Sequence, residues 1–270
     1  MYAVAATAIS ILLATVATPA SAECTRDGLL AAAASYVAAQ ASGSTENLPL
    51  SATNFTYRLN NAAVDIAAGP LGRALPVDYN RTSADTTACA SYTLLISASG
   101  PAPYVISTQI RHPTADDGSS NDTTSEIALI DTIAATTGAL FFDAARTLSL
   151  VSQENWAPLE ETQRPSREEL KRVGDAYLDM WTDAGAADTI PWGTDCERVE
   201  GSMLTRPCGA TLPRGGSQKT NGDRRYVVDE ALGSVDVLCS FDALGDMPDS
   251  HEVRVEGGLV KYVHTVTVLQ

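Results

Sequence analysis

Two of the chain's three histidines, His251 and His264, fall in one alternating stretch near the C-terminus, PDSHEVRVEGGLVKYVHTVTV (248–268). Imidazole changes charge close to neutral pH, so two of them beside a carboxylate, Asp249, have the makings of an acid–base site. Gly257-Gly258 between the alternating runs is a two-residue hairpin signal, because a type I′ turn needs positive φ at both central positions. That turn predicts Glu256 opposite Leu259, Val255 opposite Val260, Val253 opposite Tyr262 and His251 opposite His264, with Cβ atoms about 4.5–5.5 Å apart. One face then carries Val253, Val255, Val260, Tyr262, Val266 and both histidines, and is core-like. The other carries Glu252, Arg254, Lys261, Thr265 and Thr267, and is solvent-like. Two imidazoles in a low-dielectric pocket resist double protonation, so one would stay neutral as a base while Asp249 or Glu230 orients the other. The same residues also suit a satisfied polar cluster in a core.

Around this pair, Tyr177, Trp192, Arg198, Tyr226, Glu230 and Tyr262 are the candidate pocket walls, and each aromatic among them fits a core position equally well. No G-x-S-x-G, H-E-x-x-H or G-x-G-x-x-G occurs. Ser250 falls on the outer face, which argues against a serine hydrolase, and LPRGGSQKTNGDRR (212–225) lacks the P-loop pattern. There is no C-x-x-C and no His near a Cys, so no metal is expected, nor any other cofactor.

The chain has 270 residues, 44% of them apolar, enough for one large domain or two smaller ones. A formal charge of −15 leaves no basic patch for nucleic acid. Residues 1–22 end in Ala20-Ser21-Ala22, an A-x-A pattern that predicts a signal peptide, although no Lys or Arg precedes the apolar run. No other stretch is apolar enough to span a membrane, so the expectation is an extracellular protein without a membrane partner. Sequons at Asn54, Asn80 and Asn121 agree with secretion and glycosylation. Of five cysteines, Cys239 lies in the strand-like run SVDVLCSF and reads as buried and free, which pairs Cys24 with Cys89 and Cys196 with Cys208.

These residues need elements to position them. TRDGLLAAAASYVAAQA (25–41) and SREELKRVGDAYLDMWTD (166–183) both read as amphipathic helices with Thr25 and Ser166 as caps. Each runs cap, Arg, acid, Leu, with Tyr seven residues later (Leu29/Tyr36, Leu170/Tyr177), and each is followed by strand-like runs at hairpin spacing. The pattern predicts an α+β chain built from two copies of one unit, each a helix on a curved antiparallel sheet: 23–142, a connecting helix and polar linker at 143–165, and 166–270. Laying EIALIDTIA (126–134) on LVKYVHTVT (259–267) puts Leu129 on Tyr262 and Asp131 on His264. Asp131 with Arg111 or Arg81, and Tyr36, would then form either a second site or a structural ion pair.

A leading helix with an inward aromatic, followed by a sheet whose last strands carry inward polar groups, resembles the cone-shaped NTF2-like (SnoaL-like) fold. ECTRDGLLAAAASYVAAQ, GDAYLDMW, PWGTDCERVEG, RRYVVDE and the opening stretch resemble a family of secreted fungal proteins of unknown function. The first resemblance implies a cofactor-free acid–base enzyme acting on a small molecule or carbohydrate as an isomerase, cyclase, dehydratase or lyase. It equally allows a secreted binding protein without catalysis.

Overall fold

A computed structural model describes residues 24–113 and 126–269. The first helix, α1 (Arg26–Ser42), starts where the Thr25 hydroxyl accepts from the Gly28 amide. It stops at Gly43, whose φ of 68° and contact with the Arg73–Ala74 backbone admit no side chain. Strands β1 (Thr56–Leu59), β2 (Ala62–Ala63), β3 (Tyr79–Asp85), β4 (Ala90–Ser97), β5 (Tyr104–Arg111) and β6 (Leu129–Thr136) follow. A short helix, α2 (Ala144–Val151), capped by Asp143, leads to α3 (Arg167–Asp179), capped by Ser166. Then come β7 (Trp192–Glu200), β8 (Met203–Thr205), β9 (Gly222–Asp229), β10 (Ser234–Phe241), β11 (Met247–Glu256) and β12 (Leu259–Thr267).

The twelve strands form two six-stranded sheets with one topology, β2-β1-β6-β5-β4-β3 and β8-β7-β12-β11-β10-β9. The fold is thus α+β with a duplicated unit. Each sheet is mixed rather than wholly antiparallel, because β1 pairs in parallel with β6 and β7 with β12. Helix α1 buries Leu29 and Tyr36 on one face of the first sheet, and α3 buries Leu170, Val173 and Tyr177 on one face of the second. The remaining face of each sheet packs on the other, joining Tyr92, Leu94 and Ile133 to Val227, Leu238 and Val266 in one core. Cys24–Cys89 and Cys196–Cys208 are both bridged, with Cα atoms 5.3 and 5.1 Å apart, and Cys239 is free and buried.

The contact between sheets is reciprocal. Asp229 of β9 accepts from the Ala84 amide of β3 at 2.8 Å, and Asp85 of β3 accepts from the Val228 amide of β9 at 2.9 Å. Asp229 also pairs with Arg26 at the start of α1, and Asp85 with Arg167 at the start of α3. Residue i touching j′ while i′ touches j is the signature of a two-fold interface, here between two halves of one chain. Carrying Asp85/Asp229 through the strand registers makes Arg81 equivalent to Arg225, Thr108 to His251, Gln109 to Glu252 and Asp131 to His264.

The C-terminal hairpin departs from the simple register. Gly257 and Gly258 have φ of 60° and 76°, and Val255 pairs with Val260. Lys261 is then left unpaired as a bulge, and Arg254 pairs with Tyr262. One extra residue turns every later side chain of β12 to the opposite face. His264 therefore stands opposite Glu252, and His251 opposite Thr265. The expected facing histidine pair does not exist. The expected solvent face is buried too: Glu252 and Arg254 are each 1% exposed, because that face meets the other sheet.

The reciprocal contact predicts matched effects. Asp85→Ala and Asp229→Ala should each cost about 2–4 kcal/mol by stranding a buried amide and an arginine. Urea midpoints check this, and a silent substitution at either position would refute the equivalence.

Candidate functional site: a buried histidine in the second unit

Just beyond the C-terminal end of α3, against the second sheet, lies a cavity of about 100 Å³, lined by Trp181, Phe241, Asp249, His251, Glu200 and Thr265 among others, with Leu140 and Phe141 from the first unit also lining it. His251 is 2% exposed. Its ring lies 5.3 Å from those of Tyr177 and Phe241 and 6.4 Å from that of Trp181. Its Nε2 is 3.1 Å from Asp249 Oδ2, but off the line of a hydrogen bond. Both ring nitrogens, Asp249 Oδ2 and the Tyr177 hydroxyl consequently lack hydrogen-bond partners among the described residues. Burial pushes the Asp249 carboxyl above its usual range, against the opposing pull of His251.

The first unit shows what the same position looks like when closed. There Thr108 replaces His251, and its hydroxyl bonds the Tyr36 hydroxyl at 2.7 Å and Thr132 at 3.0 Å. Every hydroxyl in that chain is satisfied. In the second unit the matching tyrosine and histidine are not, and a cavity adjoins them.

The other expected wall residues are dispersed. Trp192 packs edge-on against Tyr177 and donates to the Ala187 carbonyl. Arg198 is buried beside Glu200, 3.2 Å away, and donates to the Ala210 carbonyl. Tyr226 gives its hydroxyl to Asp175 on α3, and Glu230 is exposed in a turn, so neither reaches the histidine. Phe241 carries no pocket signal in the sequence, while Trp181 reads there only as part of the apolar face of α3 and Glu200 only as following that helix. Trp181 sits one turn beyond Tyr177, which is the signal that could have found it.

His264 and Tyr262 belong to a different constellation, between the sheets. His264 Nδ1 lies 3.1 Å from Glu252 and its Nε2 2.9 Å from Glu154. Arg81 makes a two-pronged pair with Glu252 at 2.5 and 2.6 Å and lies flat over the Trp156 ring, 3.4 Å from its centroid. Trp156 also stacks on Tyr262, 5.6 Å away. The supposed polar linker thus inserts Glu154 and Trp156 between the two units. At the equivalent place in the other half, Asp131 pairs with Arg225 at 2.6 Å and more distantly with Arg58, at 3.9 Å, not with Arg81 or Arg111. Arg111 donates to Gln109 and to the Tyr226 carbonyl. Tyr36, on α1, packs on the other side of that sheet, so Asp131, Arg111 and Tyr36 form no common site. Asn54 and Asn80 are exposed; Asn121 and residues 1–22 lie outside the described residues.

A family described as Domain of unknown function (DUF8021) matches residues 163–267, which span α3 and the second sheet. No curated protein and no solved structure matches the chain. Among the described residues no cluster of His, Cys, Asp and Glu is placed to hold a metal, and no helix is long and apolar enough to cross a membrane.

The buried charges set a pH window. Burial raises Glu252, but Arg81 and His264 more than offset it and hold the carboxyl at about 2, below its ordinary 4.5. Burial lowers His264, but Glu154 and Glu252 outweigh it and raise the imidazole from 6.5 to about 9. Glu252 therefore stabilises the fold above pH 4.5 and loses that contribution as pH falls towards 2. His264 stabilises fully below pH 6.5 and loses its contribution as pH rises through 9. Asp131, Asp236 and Asp249 are raised by burial, so each also withdraws stability as pH climbs above its ordinary 3.8. With Glu252 fully contributing above pH 4.5 and these aspartates already withdrawing stability there, stability should peak near pH 4.5, decline above it, and decline more steeply above 6.5. Denaturation midpoints across pH check this, and His264→Gln should lower the maximum and flatten the alkaline decline.

Proposed function

We propose that the chain is a secreted protein of NTF2-like, SnoaL-like build whose second unit binds a small molecule and moves a proton on it through His251 and Asp249, without a cofactor. One observation carries this reading: a nearly inaccessible histidine, both ring nitrogens unpartnered, lines a cavity beside a carboxylate, while its counterpart in the first unit is a fully bonded threonine. Buried polar atoms without partners are rare in folded proteins, and several beside one cavity suit a ligand's polar group. A neutral His251 would take a proton from carbon next to a carbonyl, leaving the electron pair as an enolate, and Asp249 would stabilise the imidazolium formed. Isomerisation, cyclisation, dehydration and elimination share that first step.

Support for the build comes from the helix on a mixed six-stranded sheet, present twice. Support for secretion comes from two disulfides, the A-x-A pattern at residue 22 and the exposure of Asn54 and Asn80. The cavity, about 100 Å³, fits a small molecule or the end of a larger one rather than a sugar chain.

The close packing of Tyr177, Phe241 and Trp181 around His251 favours one further reading, a non-catalytic binding pocket. Deuterium exchange separates the two. Incubated in heavy water with pooled small metabolites, the wild-type chain should label a carbon-bound position of one ligand, read by mass spectrometry. His251→Asn and Asp249→Asn, folded by circular dichroism, should not. Retention of a ligand without labelling would leave a binder.

A further inference from the structure

The cavity's lining also selects the charge of what enters it. Resting on the reading of this cavity as a ligand site, we infer that its ligand is a small apolar molecule carrying a protonated or quaternary nitrogen. The aromatic side chains that line it are Trp181, Phe241 and Phe141. The charged groups lining the cavity are carboxylates, Asp249 and Glu200, accompanied by His251, Thr265 and Thr267. Neither Lys nor Arg lines it. A guanidinium stands nearby in Arg198, paired with Glu200, donating to the Ala210 carbonyl and close to the Tyr177 hydroxyl, but it does not line the cavity.

An anionic ligand would thus meet like charge with no donor fork to compensate, in a site largely screened from water. A cation meets the opposite: aromatic side chains and a buried carboxylate, Asp249, beside His251. Glu200 is shared with Arg198, so Asp249 is the principal counter-charge. The apolar body has somewhere to lie, because Phe141 is 55% exposed and Leu244 44% exposed while both border the cavity.

Three probes of similar shape test this on the full chain at neutral pH: benzylamine, benzyl alcohol and benzoate. Binding is read by tryptophan fluorescence and by shifts of amide resonances around His251. Benzylamine should bind at least about tenfold more tightly than benzyl alcohol, and benzoate should not saturate. Asp249→Asn should remove most of the preference for the amine, and Glu200→Gln, at a side chain one-third exposed and safer for folding, should reduce it. Added salt should weaken the amine alone. Benzyl alcohol binding as well as benzylamine, or benzoate binding best, would overturn the charge assignment while leaving the pocket intact. Saturation by none of the three would overturn both the assignment and the pocket.

Discussion

Charge buried between two sheets is the constraint on which the rest of this structure depends. Arg81 from one half is gripped by Glu252 and approached by His264 from the other, with Trp156 laid over its guanidinium. Around the two-fold, Asp85 and Asp229 each reach across to a backbone amide of the opposite sheet. Such groups are costly to bury and tolerable only when each partner is in place, so neither half can expose this face without stranding several charges. The two units are therefore obligate partners. The helices cover the outer faces, and the cavity lies just beyond the end of α3.

A single residue decides which histidine belongs to which layer. Lys261 is extruded from the β11–β12 ladder, and the neighbouring β7 pairing also skips between Val260 and Tyr262. Before the bulge Val260 faces α3. After it Val263 does, while Tyr262 and His264 turn to the other sheet. Without the extra residue His264 would stand beside His251 under α3, and Glu252 would keep Arg81 but lose its imidazole partner. The bulge thus gives one histidine to the interface and one to the cavity.

Much of this was legible in the chain and some was not, for physical reasons. Helix starts at Thr25 and Ser166 follow from local capping chemistry, and the Gly257-Gly258 turn from backbone sterics. That Cys239 is the unpaired cysteine follows from its place in an apolar strand. The bulge was illegible because it answers to β7, through the parallel pairing of Val260 with Trp192, 68 residues earlier. Alternation correctly separated two faces of β11 but could not say that the polar one meets another sheet rather than water. Glu154 and Trp156 sit in a run that looks like linker, since their partners lie in Arg81, His264 and Tyr262, far along the chain.

Duplication lets the two units differ at one equivalent position. Both units place a tyrosine from the leading helix over the same position of the sheet. In the first, Tyr36, Thr108 and Thr132 close on one another, and the position is spent on stability. In the second, a histidine too large for that closure stands in Thr108's place, the tyrosine hydroxyl loses its partner, and Trp181 and Phe241 hold the imidazole against a cavity. With one copy securing the fold and the shared interface fixing both sheets, the second copy can hold unpartnered polar groups that a single domain of this size would struggle to tolerate. The unsatisfied histidine is thus a cost that the arrangement sustains, and a ligand's polar group is what would offset it.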